Sequence, residues 1–330
     1  MAFLGKKGKK VTRLFFATDI HGSERTYRKF INAGKFYEVD VLVMGGDISG
    51  KLMIPIIKES NGRHRATLQG NVHHIETEEE LKALQDRIGL LGFYSKIMVE
   101  DEYKELSAKP AEVSALFHQL ARERLSSWVE LAETRLKGTG IKCFVTGGND
   151  DDPEVLEAIQ GARHESFIPC EGQVVQVDEL HSMASVGFSN PTPWKTPREI
   201  PDAKLGEIIN GICARLGDFS HCIFNFHVPP LDSTLDSCPK LDWSTDPPTP
   251  IVSGGQIVFA GAGSQAVRDA IQKYQPMLGL HGHIHEAQGV AKIGRTTCVN
   301  PGSEYGEGIL RGCLVTFADG HVEGYQMTSG

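Results

Sequence analysis

The chain has 330 residues, of which 40% are hydrophobic and 23% are charged, and its formal net charge is −8 at pH 7. This composition excludes a disordered or fibrous protein and predicts a single globular domain, 1–330, with a sizeable core. No apolar run approaches the length of a membrane span, and the negative charge argues against stable binding to nucleic acid or anionic lipid.

The start of the chain and the cysteines bear on the compartment. Lys6, Lys7, Lys9 and Lys10 are followed by no long apolar stretch, so we expect no signal peptide and interpret the basic segment as a solvated tail. The cysteines form no Cys-x-x-Cys pair, and several lie inside apolar runs. We interpret them as reduced, mostly buried thiols, which predicts a cytoplasmic protein without membrane attachment.

Three short apolar runs in the first half each end in a polar segment. The runs and the segments that follow them are 14–17 before 18–22, 41–44 before 45–47, and 143–145 before 147–151. Apolar runs without strict alternation predict strands that are covered on both faces. Because open α/β sheets bind ligands beyond the carboxyl ends of their strands, the polar segments predict a site.

The second and third of these strands are separated by roughly 90 residues, which is too long for an ordinary crossover. We therefore predict that 51–140 is an insertion, with a hairpin in 63–77, an amphipathic helix around 81–88 and a longer helix after Pro110. The insertion either packs on the sheet or on a second copy of the chain, or it forms a lid over the site. The sequence leaves these alternatives open, and with them a homo-oligomer.

After residue 165 the pattern becomes β-rich, with runs at 183–188, 222–226 and 277–280 among others. One helix is predicted at Gln265–Tyr274, with Ser264 as its N-cap. The two halves of the chain therefore predict two sheets that pack face to face, each with helices outside.

Polar side chains that can bind metal collect at the predicted strand ends: Asp19, His21, Asp47, Asn149, His227, His283 and His285. In an extended segment the residues of an Asp-x-His or His-x-His pair project to the same side. A mixture of carboxylate, imidazole and amide ligands suits Mn²⁺, Fe²⁺, Zn²⁺ or Co²⁺. Mg²⁺ and Ca²⁺ prefer ligand sets that consist of oxygen atoms alone. Seven ligands are too many for one tetrahedral ion and fit two ions that share a carboxylate. His281 is predicted to point to the opposite face and to be structural.

These residues stand in ordered motifs that resemble the calcineurin-like metallophosphoesterase family over residues 14 to about 305. The motifs are Asp19-x-His21, Gly46-Asp47, Gly148-Asn149-x-Asp151, His227 and Gly282-His283-x-His285. Two further segments, 187–194 and 300–303, resemble the Icc-like prokaryotic branch of that family, which is also described as cyclic-nucleotide-phosphodiesterase-like.

The resemblance implies an α/β fold, a four-layer α/β/β/α sandwich of two packed mixed sheets, with the helical and hairpin insertion at 51–140. It also implies a centre of two divalent ions, with Mn²⁺ first among the candidates. The implied ligands are Asp19, His21 and His285 for one ion, Asn149, His227 and His283 for the other, and Asp47 as the bridge. Two such ions supply a hydroxide and hold the phosphoryl oxygens for in-line attack.

The implied function is that of a dinuclear metal-dependent phosphohydrolase. A phosphodiesterase that acts on a small phosphoester, with nucleotides among the candidates, is the first interpretation. A phosphomonoesterase or protein phosphatase is the alternative within enzymes, and a metal-binding scaffold without catalysis is the alternative outside them.

The third motif departs from the family pattern. Many members have a histidine, placed to protonate the leaving group, where this chain has Asp150. An aspartic acid donates a proton near neutral pH only where burial or a neighbour such as Asp151 raises its pKa. We therefore expect a preference for esters with good leaving groups, and we select Asn149, Asp150 and Asp151 as catalytic candidates.

The candidate substrate contacts are Asn190, Trp194 and Arg198, in a proline-rich loop after a strand. Trp194 either stacks on a base or aromatic leaving group or braces the loop. Arg198 either pairs with a phosphate or lies on the surface. Asp232, Asp236 and Asp242, in the Pro- and Asp-rich segment after His227, are predicted to be solvated turn residues rather than ligands.

Overall fold

The computed structural model of the protein describes residues 11–161 and 164–330, so the basic segment that was interpreted as a solvated tail lies outside the described residues. The α-helices are α1 (Glu24–Phe36), α2 (Glu78–Leu90), α3 (Glu100–Ser107), α4 (Pro110–Leu136), α5 (Pro153–Gln160), α6 (Asp202–Cys213) and α7 (Gln265–Tyr274). Short 3₁₀ helices lie at Phe219–His221 and Tyr305–Glu307. The predicted cap of α7 is confirmed, because Ser264 Oγ accepts a hydrogen bond from Val267 N at 3.1 Å.

The strands follow one another in chain order as β1 (Thr12–Ala17), β2 (Val41–Met44), β3 (Met53–Lys58), β4 (His64–Leu68), β5 (Asn71–Ile75), β6 (Tyr94–Val99), β7 (Lys142–Val145), β8 (Phe167–Pro169), β9 (Val174–Gln176), β10 (Ser182–Val186), β11 (Cys222–Phe226), β12 (Ser237–Pro239), β13 (Leu241–Asp242), β14 (Thr249–Pro250), β15 (Val252–Ser253), β16 (Gln256–Ile257), β17 (Phe259–Gly261), β18 (Leu278–Leu280), β19 (Gly289–Ile293), β20 (Thr296–Asn300), β21 (Arg311–Ala318) and β22 (His321–Ser329).

Two six-stranded mixed sheets form the centre of the molecule. The first has the order β22-β21-β1-β2-β7-β8, and the second has the order β19-β20-β18-β11-β10-β9. In the first sheet Ala17 pairs with Met44 and Met44 with Val145, all in parallel strands. The carboxyl ends of β1, β2 and β7 therefore lie side by side, as the three apolar runs predict. In the second sheet β10, β11, β18 and β20 are parallel in the same way.

The sheets pack face to face over a buried apolar core. Phe16 and Phe144 of the first sheet lie in this core with Ile223 and Leu280 of the second. The outer face of the first sheet packs against α1, α4 and α5, and the outer face of the second packs against α6 and α7. The predicted four-layer α/β/β/α sandwich is therefore confirmed.

The segment 51–140 contains a separate four-stranded sheet, in the order β5-β4-β3-β6, with α2 packed on it. The hairpin predicted in 63–77 and the amphipathic helix around 81–88 are both confirmed, as β4–β5 and α2. The long helix α4 packs on the first sheet, where Trp128 stacks on Tyr27 with ring centroids 4.1 Å apart. Packing on the sheet was one of the interpretations that the sequence left open.

The segment after His227 forms short two-stranded ladders, β12–β17, β13–β14 and β15–β16. Asp236 differs from its prediction as a solvated turn residue, because it is buried and its carboxylate accepts hydrogen bonds from backbone N–H groups of the segment. All seven cysteines are free thiols, and only Cys238 is not fully buried. Among the described residues there is no helix with the length and apolar character that crossing a membrane requires.

Candidate metal centre

All the predicted metal ligands lie in loops that directly follow strands of the two central sheets. Asp19 and His21 follow β1, Asp47 follows β2, and Asn149 follows β7, all in the first sheet. From the second sheet, His227 follows β11, and His283 and His285 follow β18. Because the two sheets face each other, these loops meet at one edge of the sandwich, and the structure brings all seven side chains together.

The first group consists of Asp19, His21 and His285, whose ligand atoms all lie within 4.8 Å of one another. His285 Nε2 is 3.4 Å from Asp19 Oδ1 and 3.1 Å from His21 Nε2. Asp19 and His21 are almost fully buried. One carboxylate and two imidazole nitrogens thus converge on one small volume, which is a donor set that suits a borderline divalent ion.

The second group consists of Asp47, His227 and His283, again within 4.8 Å of one another. Asn149 joins it, since its Oδ1 is 3.0 Å from His227 Nε2 and 2.6 Å from His283 Nδ1. His227 Nδ1 donates to the carbonyl oxygen of Gly45 at 2.9 Å. This bond directs Nε2 into the group, which is the orientation of a metal-ligating histidine.

Asp47 lies between the two groups. Its Oδ2 is 3.4 Å from His227 Nε2 of the second group and 3.8 Å from His21 Nε2 of the first. Its Oδ1 accepts a hydrogen bond from the backbone N–H of Asp150 at 2.9 Å. One carboxylate therefore faces both clusters of donors.

The carboxylates of the centre are charged, and its four histidines divide into two with lowered and two with raised pKa values. Burial opposes the ionisation of Asp19, but His285 and His227 hold its pKa at about 2. In the same way, the neighbouring His227 holds the pKa of Asp47 well below its usual value against the effect of burial. Burial lowers the pKa of His283 to about 4, so this imidazole is neutral near pH 7 and one of its ring nitrogens is free to bind a metal.

The pKa of His227 shows that the carboxylates of Asp19 and Asp47 favour a positive charge between them. Burial disfavours its protonated form, but Asp47 and Asp19 raise its pKa to about 10. Two buried carboxylates that lie 3.9 Å and 3.4 Å from the same imidazole nitrogen need nearby positive charge. Divalent metal held by these donor groups would supply that charge, so the residues present fit divalent metal ions.

Backbone strain is concentrated at the same residues. Asp19, His21, Asp47 and His283 have φ angles of 54°, 41°, 49° and 68°, in the left-handed region that non-glycine residues rarely adopt. Such strain persists where the surrounding structure imposes it, and it is typical of functional sites. Gly148 is required beside them, because a Cβ there would overlap the carboxylate of Asp47.

Asp151 fixes the loops around Asp47 rather than facing the centre. It is fully buried, and its carboxylate accepts hydrogen bonds from Ser49 N at 2.7 Å, Ser49 Oγ at 2.6 Å, Ile48 N at 3.0 Å and Gly148 N at 2.7 Å. These contacts connect the loop after β2 to the loop after β7. Asp151 was selected as a catalytic candidate, and this geometry makes it a positioning residue.

Asn300, in the segment 300–303, holds the loop that carries the histidines after β18. Its Nδ2 donates to the carbonyl oxygens of Gly282, Ile284 and Leu235, and its Oδ1 accepts from Gly302 N. Nearby, His281 Nδ1 donates to the carbonyl oxygen of Phe226 at 2.8 Å, and burial lowers the pKa of His281 to about 4. This placement agrees with the structural role that was predicted for His281.

Asp150 lies above the centre and pairs with a lysine that the sequence analysis did not select. Its Oδ2 is 2.5 Å from Lys51 Nζ and 3.7 Å from His21 Nδ1. Burial and the nearby Asp47 raise the pKa of Asp150, and the ion pair with Lys51 opposes this shift. Asp150 therefore forms an ion pair at the opening of the centre.

A cavity of about 900 Å³ opens over the centre. Its floor includes Asp47, Asn149, His283 and His285. The walls come from the loop after β10, from 238–262 and from Phe117 and His118 of α4. The insertion thus reaches the site with one end of α4 while the rest of that helix packs on the sheet.

The predicted substrate contacts differ in their relation to this cavity. Trp194 lines it with 64% of its side chain exposed, and it makes an edge-on contact with Trp243, which is 48% exposed and also lines the cavity. Arg198 is only 5% exposed, and its guanidinium donates to Glu171 Oε1 at 2.6 Å and to the carbonyl oxygen of Gly148. Neither Arg198 nor Asn190 lines the cavity. In this geometry the guanidinium of Arg198 supports the loop of Asn149.

A third cluster of donors, His118, Asp152 and Glu154, lies at the cavity rim. Its members pair with one another, at 3.6 Å for His118 and Asp152 and 3.1 Å for His118 and Glu154. None of the three is fully buried, whereas two of the three members of each of the other two groups are buried. This pattern is typical of a surface ion-pair cluster.

No family model matches the chain. A curated relative, the uncharacterized protein MJ1162 of Methanocaldococcus jannaschii, is 25% identical over 156 residues. The match covers 47% of this chain and 61% of the relative, so it spans about three fifths of the relative's length.

Two solved structures are similar to nearly the whole chain. A crystal structure with a TM-score of 0.53 covers 97% of this chain and 99% of its own at 14% identity. The structure of TT1561 of Thermus thermophilus, with a TM-score of 0.51, covers 94% of this chain and 99% of its own at 12% identity. At these identities the likeness is one of fold, and the resemblance that the motifs indicate is confirmed at that level.

Proposed function

We propose that this chain, which has the metallophosphoesterase fold, is a dinuclear metal-dependent phosphodiesterase. The observation that carries the proposal is the position of Asp47, whose carboxylate faces donor groups on both sides. A fold without chemistry has no physical need for two buried donor clusters that share a carboxylate. This is the argument against a scaffold without catalysis.

In this proposal Asp19, His21 and His285 hold one ion, Asn149, His227 and His283 hold the other, and Asp47 bridges them. Mn²⁺ is the first candidate, with Fe²⁺, Zn²⁺ and Co²⁺ as alternatives that the same ligands accept. When bound, two such ions supply a hydroxide nucleophile near neutral pH and neutralise phosphoryl oxygens.

The protein's own side chains orient the centre and the substrate. The bond from His227 Nδ1 to Gly45 fixes which imidazole nitrogen faces the centre. Asp151 holds the loop of Asp47 by its backbone, so the carboxylate is in place before substrate binds. Trp194 and Trp243 offer aromatic faces to a base or aromatic leaving group, which supports a nucleotide or aryl ester as substrate.

A diester is favoured over a monoester by the charges that line the cavity. Arg198 lies outside the cavity and pairs with Glu171, whereas Lys51 and Asp150 both line the cavity and pair with each other. The carboxylate of Asp150 therefore repels the second negative charge of a dianionic monoester, which a monoanionic diester lacks. The preference for good leaving groups that Asp150 predicts is part of the same proposal.

The test is hydrolysis of bis-p-nitrophenyl phosphate against p-nitrophenyl phosphate by metal-stripped protein that is resupplied with Mn²⁺. We expect diester cleavage to return with the metal and to fall to background in Asp47→Asn, because this change removes the charge that both ions share. Asp40→Asn is the matched control: this exposed aspartate precedes β2 and accepts a bond from Arg13 N, which an asparagine can also accept.

The other outcomes of this experiment would change either the proposed function or the role of Asp47. A strong preference for the monoester would favour a phosphomonoesterase or protein phosphatase. Turnover by Asp47→Asn with two bound ions would contradict the bridging role. Absence of activity on both esters by the metal-loaded wild type would favour the scaffold.

A further inference from the structure

The loop that carries Lys51 is fixed at successive backbone positions. Ile48 N and Ser49 N donate to the buried carboxylate of Asp151. Gly50 N donates to Tyr94 Oη at 2.7 Å, and Tyr94 is itself buried. Lys51 therefore starts from a defined point beside Asp47, although it is a long side chain that is 43% exposed.

The side chain of Lys51 ends inside the cavity rather than in open solvent. Lys51 lines the cavity with Asp47 and Asn149, and its Nζ is 2.5 Å from Asp150 Oδ2. Asp150 is tied to the centre in turn, because its backbone N–H donates to Asp47 Oδ1 and its carboxylate is 3.7 Å from His21 Nδ1. The ammonium is thus held next to the predicted ligands of both ions.

The two charges of this pair have distinct consequences for an anion in the cavity. An ammonium has three N–H donors, so Lys51 keeps donors for a ligand after it binds Asp150. A hydrogen bond from a charged donor to a phosphoryl oxygen is stronger than one between neutral groups. The carboxylate of Asp150 has the opposite effect, because it repels any further negative charge on the ligand.

On the basis of the proposed function, we propose that Lys51 binds a non-bridging oxygen of the substrate phosphoryl group and that Asp150 holds Lys51 and disfavours a second negative charge. The pair is then the device that selects a monoanionic diester over a dianionic monoester. Lys51 contacts the substrate, whereas Asp150 is a positioning and specificity residue.

The test combines inorganic phosphate binding with the ratio of diester to monoester kcat/KM, both measured on protein reconstituted with Mn²⁺. Lys51→Met should weaken phosphate binding, followed by calorimetry, by about tenfold or more, the loss expected for a hydrogen bond to a charged group. It should lower diester kcat/KM to a similar extent. Asp150→Asn should tighten phosphate binding and shift the ratio toward the monoester by about tenfold.

Two variants serve as controls. Lys240→Met removes another lysine that lines the cavity and should leave phosphate binding within about twofold of the wild type. Lys51→Arg keeps the charge and should retain phosphate binding, which separates loss of the cation from a folding defect. Metal content is measured for every variant.

The inference is overturned if Lys51→Met, with full metal content, binds phosphate as the wild type does. It is also overturned if Asp150→Asn leaves the diester to monoester ratio unchanged. These results differ from a failure of the proposed function, in which the metal-loaded wild type cleaves neither ester.

Discussion

Replacing Asn300 by alanine tests whether the loop of the second-sheet histidines is held by one buried side chain. Asn300 is fully buried, and its amide makes four hydrogen bonds. In two of these, Nδ2 donates to the carbonyl oxygens of Gly282 and Ile284, which flank His283 in sequence. Asn300→Ala removes all four bonds and leaves their backbone partners without the amide.

The expected loss of stability follows from the number of hydrogen bonds that the substitution removes. At about 1 kcal/mol for each lost bond, the free energy of unfolding should fall by about 4 kcal/mol. An unfolding entropy of about 2.1 cal/mol/K per residue gives the whole chain about 0.7 kcal/mol/K. The expected decrease in Tm is therefore about 6 °C, and the affinity for Mn²⁺ should fall as well because the loop of His283 is released.

Thermal unfolding of the metal-free protein and Mn²⁺ titration measure the two effects separately. Asn71→Ala is the matched control, because Asn71 is exposed at the turn between β4 and β5 and its Nδ2 donates to the carbonyl oxygen of Gln69 at 3.4 Å. It should lower Tm by about 1 °C. A Tm for Asn300→Ala within about 1 °C of the wild type would refute the energetic argument. A lower Tm with unchanged Mn²⁺ affinity would refute the positioning role.

Two other changes test the cavity and the Asp47 loop. Trp194→Ala and Trp243→Ala should each raise KM for a nucleotide diester several-fold and leave KM for a small aryl ester nearly unchanged. Equal effects on both esters would indicate that the two tryptophans only brace their loops. Asp151→Ala should lower Mn²⁺ content and kcat because four buried donors lose their acceptor. Asp152→Ala removes the cap of α5 and the partly exposed contact with His118, which should cost about 1 kcal/mol and leave metal content unchanged. Similar metal content in both variants would contradict the role given to Asp151.

The position of the metal ligands could be predicted from the sequence because it depends on a local pattern. An apolar run that ends in polar residues defines a strand and its carboxyl end within a few residues. Parallel pairing then aligns those ends, so the loops of Asp19, Asp47 and Asn149 become neighbours without further information. His227 and His283 follow by the same argument in the second sheet.

The roles of the surrounding side chains could not be predicted in this way, because their partners are distant in sequence. Arg198 pairs with Glu171 on another segment, and neither residue alone indicates that pairing. Trp243 lies in a segment whose composition predicts turns, and its contact with Trp194 is set by the packing of two loops. Lys51 did carry a usable signal, since it is a charged residue four positions after Asp47 in a short loop.

Each predicted ion takes ligands from both sheets, which makes the centre dependent on how the sheets pack. Asp19 and His21 come from the first sheet and meet His285 from the second. The same is true of the second group, in which Asn149 lies 3.0 Å from His227 of the facing sheet. Backbone bonds cross between the sheets as well, from His283 N to the carboxylate of Asp19. The apolar core between the sheets therefore fixes the distances within each donor group, and a change of packing there would alter the metal centre without touching any ligand.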